Sequence, residues 1–145
     1  MPSAPQNYQN HARFVPGFHF VLFAMLLAVF FWQVYILAKR PGVPAAMGVI
    51  LIFSLFMLAW YARRFAVTVQ DRIIRLEETL RMQRLLPAAG QSRIAEFTSE
   101  QLVALRFASD AELPVLAKRV LDEQIADQKE IKKLVKEWRA DHLRA

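Results

Sequence analysis

The sequence predicts an all-α membrane protein: a transmembrane helical hairpin, a second helix extended into the cytoplasm, and a small helical C-terminal domain. Three observations lead there. Hydrophobic residues make up 55% of the 145 residues and charged ones only 22%, a balance unusual for a soluble domain. Two long stretches carry no charge. Every Asp and Glu falls at or after Asp71.

The first uncharged stretch runs over 20–38 and the second over 43–62. A helix needs about 20 apolar residues to cross the hydrocarbon core, so both are long enough. Between them stand Lys39, Arg40, Pro41 and Gly42, two charges and two helix breakers that suit a turn at the water interface. Pro44 fits the first turn of the second helix, where its missing N–H costs nothing. A signal peptide is a poor alternative. The apolar run is too long, no small-x-small cleavage site follows, and a second span comes at once. A buried soluble hairpin fits no better, since neither stretch has a polar face.

Lys and Arg near the span ends set the expected orientation. Arg13, Arg63, Arg64, Arg72 and Arg75 flank the terminal side, against Lys39 and Arg40 in the turn. This bias places both termini in the cytoplasm. Trp32 and Tyr35 mark one interface; Phe14, Phe18, Trp60 and Tyr61 mark the other. Residues 1–70 hold five basic side chains and no acidic one, so the +6 formal charge sits mainly on the apolar half. A nucleic-acid module would gather that excess on a soluble face, so no nucleic-acid partner is expected.

Polar groups near the spans are candidate contacts. His19, at the mouth of the first span, reads as a pH-sensitive or headgroup contact, or more simply as an interfacial histidine. Gln33 can hydrogen-bond to the second helix or to a partner subunit, at roughly 0.6 kcal/mol, or reach interfacial water. Ser54 is expected to bond back to its own helix. Ala24 and Ala28 form a small-xxx-small pair.

Between Arg63 and Leu86 there is no Pro or Gly, so one helix should continue from about Ala45 to Leu86. Ala62, Ala66, Val69, Ile73, Leu76 and Leu80 alternate spacings of four and three, the coiled-coil repeat. Asp71–Arg75 and Glu77–Arg81 read as i,i+4 pairs. In a parallel dimer Arg72 would meet Glu77 of the other copy. Ile74 and Leu85 fall off this seam and widen the apolar face, which favours docking within the chain.

Pro87 to Gly90 ends that helix. Three capping signatures follow: Thr98 with Gln101, Ser109 with Glu112, and Asp127 with Glu130. They predict helices over 99–107, 110–125 and 128–142. The expected organisation is an N-terminal segment 1–17, the hairpin 18–62 with spans of about 18–38 and 43–62, a juxtamembrane amphipathic helix 63–86, a linker 87–97 and the domain 98–145. A domain of that size has a small core and should need the juxtamembrane helix, a second copy or another protein to cover it. Trp138, among Lys132, Lys133, Lys136 and Arg139, reads as an anchor in that core or as a binding surface, and the basic rim as a contact for anionic lipid headgroups.

Catalytic chemistry finds little support. With no cysteine there is no thiol nucleophile or disulfide, His11, His19 and His142 lack metal-ligand spacing, and no glycine loop cradles a phosphate. No catalytic, cofactor-binding or metal residue is assigned, and no enzyme is expected. The candidate interaction residues are His19, Gln33, Val69, Ile73, Leu76, Leu80 and Trp138.

The stretch Asn10 to His19, with the segment Gln101 to Pro114, Lys129 to Lys133 and Trp138 to Asp141, resembles a family of small bacterial two-span membrane proteins of unknown function. The resemblance implies a bacterial inner membrane and carries over no activity. The expected function is a membrane-anchored interaction or scaffold protein with the bilayer and a protein partner or homo-oligomer as its contacts. The alternative is an accessory subunit of a multi-chain transport or channel assembly.

Overall fold

A π-helical segment, Gly17–Leu22, runs into helix α1, Phe23–Lys39, and the longest element is α2, Val43–Leu85. Short helices follow: α3 (Ala88–Gln91), a 3-10 turn (Ile94–Glu96), α4 (Ser99–Leu105), α5 (Leu113–Asp122) and α6 (Gln128–Leu134). The computed structural model describes residues 6–10 and 15–141. Expectations resting on His11, Arg13, Phe14 and His142 lie outside the described residues. Among these the fold is all-helical, and the described chain falls into two compact units, one within 13–66 and the other from 67 onward with residues 6–10.

In the first unit, Gly17–Lys39 and the start of α2 are long and apolar enough to cross a membrane. Only 6% and 11% of their most apolar windows are covered by the chain itself. A soluble core helix would be covered by its neighbours. Where α1 and α2 touch, the Phe56 ring lies 6.2 Å from that of Phe23 and 6.3 Å from that of Phe30. Leu26, Ala45 and Ile52 are buried. Ala24 and Ala28 instead point outward, so the close approach uses Gly48 and not that pair. Ser54 Oγ donates to the Ile50 carbonyl at 2.9 Å, as expected of a hydroxyl in an apolar helix.

The second unit has one core. Met82, Leu86, Ile94, Phe97, Leu102, Leu105, Leu113, Leu116, Val120 and Ile131 are all buried in it. The end of α2 thus supplies core that the C-terminal helices lack, which answers the shortage foreseen for so small a domain. The expected linker 87–97 carries structure of its own. It folds into α3 and the 3-10 turn, and Ile94 and Phe97 enter the core.

The capping signatures fare unequally. Thr98 and Gln101 form the full reciprocal box, with bonds of 2.8 and 3.2 Å. Ser109 Oγ accepts from the Glu112 amide, but the Glu112 carboxylate turns away and accepts from the amides of Lys136 and Glu137. Helix α5 therefore starts late, at Leu113, with Pro114 in its first turn. Asp127 caps α6, yet α6 stops at Leu134, not near 142. Beyond it the chain pairs with Phe107–Ser109 in an isolated antiparallel bridge at Ala108 and Trp138. The Ser109 amide donates to the Glu137 carbonyl and the Arg139 amide to that of Phe107, at 2.9 and 2.7 Å. That pairing satisfies backbone groups a longer helix would have used, and no local propensity announces it.

Candidate functional site

Past Arg64, α2 turns a partly charged face to its own unit. Ile74, Glu78, Arg81 and Met82 recur at spacings of four, three and one, and all are buried. Arg81 is the hub. Its Nε donates to Asp110 Oδ1 at 2.7 Å, its Nη1 to Glu78 Oε2 at 3.0 Å and its Nη2 to the Ala108 carbonyl at 2.7 Å. The planar guanidinium fork suits such multiple donation. It ties α2 to the loop that opens after α4. Arg139 adds a longer contact to Glu78 Oε1, 3.6 Å.

A second arginine lies close by. Arg106 is buried, its guanidinium sits 4.4 Å above the Phe107 ring, and its Nε lies 3.0 Å from Asp141 Oδ2. Gln6 bonds to Asp141 both ways, through the Asp141 carbonyl at 3.1 Å and its amide at 2.9 Å. Arg106 and Asp141 border a cleft of about 510 Å³, lined also by Glu77, Glu78, Leu80, Arg81, Arg84, Arg139 and Ala140.

The electrostatics of the cleft have two signs. Burial pushes the Glu78 carboxyl above its ordinary range, with Arg81 and then Arg139 pulling it back. The Arg81 hydrogen bond holds the Asp110 carboxyl below its ordinary range. The lining has no hydroxyl, thiol or imidazole. Among the described residues, no three His, Cys, Asp or Glu gather as a metal-ligand set. What the arrangement does chemically is pair guanidinium with carboxylate and lock elements together.

The seven expected interaction residues scatter. Val69, Ile73, Leu76 and Leu80 are exposed by 56%, 52%, 61% and 50%. This corrects the expectation that the seam docks within the chain. Taking 100° per residue, the seam and the buried face centred near Glu78 lie about 150° apart. Ile74 and Leu85 belong to that other face and do not widen the seam. The expected Glu77–Arg81 pair also gives way, because Arg81 points into the unit and takes Glu78.

Gln33 lies against Gly48: a Cβ there would fall 2.6 Å from Gln33 Oε1. His19 Nδ1 sits 3.0 Å from the Val15 amide nitrogen and 3.1 Å from its carbonyl, within its own segment. Trp138 packs on the core, its ring 4.9 Å from that of Phe107 and its Nε1 donating to the Val135 carbonyl at 3.2 Å. Lys132 Nζ lies 5.6 Å from the centre of the same Phe107 ring, while Lys133 and Lys136 are exposed.

Glu78, Arg81, Arg106 and Asp110 were not among the seven expected interaction residues. A signal was available for two of them. Glu78 and Arg81 stand in phase with Ile74, Met82 and Leu85, so a charged pair occupies an apolar stripe.

No curated protein and no solved structure compared with the chain matches it. The model of one protein family, DUF6526, described as a family of unknown function, matches residues 1–145. The chain belongs to that family.

Proposed function

We propose that this protein is a membrane-anchored, non-catalytic interaction or scaffold protein of a bacterial inner membrane. Residues 18–62 form its two-span hairpin, and both termini lie in the cytoplasm. The observation that carries this reading is that only 6% and 11% of the most apolar windows of the two helices are buried, which leaves apolar surface that a bilayer or other apolar chains would cover. The Lys and Arg excess on the terminal side supports the orientation. The fold of the second unit supports an interaction role. Its Arg81 pairs with Glu78 and Asp110 within the unit, while α2 leaves Val69, Ile73, Leu76 and Leu80 at least half exposed.

Because the chain has no cysteine, single introduced thiols report topology cleanly. Gly42→Cys should react in intact cells with a maleimide that cannot cross the membrane. Glu100→Cys should react only after lysis. Alkaline carbonate should leave the chain in the membrane pellet. Release by carbonate, or labelling of Glu100→Cys from outside, would overturn the reading.

A further inference from the structure

We infer that the exposed α2 face formed by Val69, Ile73, Leu76 and Leu80 is the surface on which a second copy of this chain docks, as a parallel coiled coil. The inference rests on the membrane reading above, since copies inserted the same way in one bilayer present α2 in the same direction.

Three observations converge on this occupant. The four side chains repeat at spacings of four, three and four, and each is at least half exposed. A stripe of that period seals best against an identical stripe, with Ile73 and Leu80 at a and Val69 and Leu76 at d. An isolated exposed Leu would mean nothing, but four in register form one continuous apolar ridge. The flanks then decide between a copy and a foreign helix. Arg72 falls at g and Glu77 at e, both exposed, five residues apart. In a parallel pair, g of one copy meets the following e of the other, so Arg72 and Glu77 match twice by symmetry. A foreign helix would have to supply both charges by coincidence. Finally, the chain's own core is already served from the opposite face, through Ile74, Arg81 and Met82. Docking a second copy therefore leaves that buried face in place, Leu80 being the seam residue that also borders the cleft.

The test uses the full chain in its own membranes. Val69→Cys, Ile73→Cys, Leu76→Cys and Leu80→Cys are made singly, with exposed Arg75→Cys as the control on another face. Membranes are treated with copper phenanthroline as oxidant. A covalent homodimer is expected from each seam variant and not from Arg75→Cys. Adding Arg72→Glu to Ile73→Cys should deplete the dimer by setting carboxylates against each other, and adding Glu77→Arg as well should restore it. No homodimer at the seam, equal dimer from Arg75→Cys, or no response to Arg72→Glu would each overturn the inference. A seam adduct with a foreign chain would overturn it too, while leaving the interaction reading intact. Carbonate release of the chain from the same membranes would instead bring down the membrane reading itself.

Discussion

Two faces of one helix make the instructive comparison. On α2, Ile74, Glu78, Arg81 and Met82 are buried, although two of the four are charged. About 150° around the helix, Val69, Ile73, Leu76 and Leu80 are apolar and exposed. Burial of polar groups and exposure of apolar ones are the two observations that carry information, because most surfaces mix both kinds of atom. Here they occur together. The charged face is held by matched partners, which a specific intramolecular lock requires. The apolar face stays at least half exposed among the described residues, and a second copy of the chain is its proposed cover.

The largest expected effect comes from splitting the charged face. Arg81→Met leaves Glu78 buried without its main counter-charge and frees the Ala108 carbonyl, at a cost of about 3–5 kcal/mol. Hydrogen exchange of the α4 amides in the full chain reads that loss. Replacing both partners, Glu78→Leu with Arg81→Met, should recover most of the protection, since an apolar pair of similar volume avoids the burial cost. Protection lost equally in both variants would mean the pair is not coupled.

Met82→Ala should come next. Met82 is fully buried where α2 enters the core, and truncation there costs about 2–5 kcal/mol. The partner comparison is Leu76→Ala in the chain held monomeric in detergent, where no second copy covers that face, and it is expected to change α4 protection by no more than about 0.5 kcal/mol. Similar losses from the two would erase the distinction between the faces.

A smaller effect follows from pH, and its two parts oppose each other. The Asp110 carboxyl is lowered by Arg81, so its share of stability is present above the unfolded value and lost as pH falls through the depressed folded value. Asp110 is largely exposed, and solvent screening keeps that share small. Glu78 is raised by burial, so its share is present at low pH and lost as pH rises through the raised value. Protection of α4 should therefore hold or rise slightly on mild acidification and fall only below the ordinary carboxylate range. Glu78→Gln should remove the rise and keep the acid loss. A loss that begins near neutral pH would contradict this ordering.

Much of the fold was legible in the sequence because its signals are local. The uncharged runs, the breakers at Pro41 and Gly42, the unbroken stretch to Leu86 and the Thr98 box depend on neighbours within a few residues. What was not legible depends on distant groups. Glu112 looks like the return half of a cap, yet its carboxylate is taken by amides of Lys136 and Glu137. The bridge from Ala108 to Trp138 ends α6 early for the same reason. The seam was legible as a repeat, but its direction was not. Periodicity marks two candidate faces on α2, and Arg81 selects between them by reaching Asp110, twenty-nine residues away in sequence.

The most direct test is the native mass of the protein, extracted with its surrounding lipid so that the bilayer contacts survive. Two 16.7-kDa chains per particle, falling to one with Leu76→Lys and Ile73→Lys together, is the expected result. One chain per particle in the unaltered protein would contradict the assignment of the apolar face to a second copy.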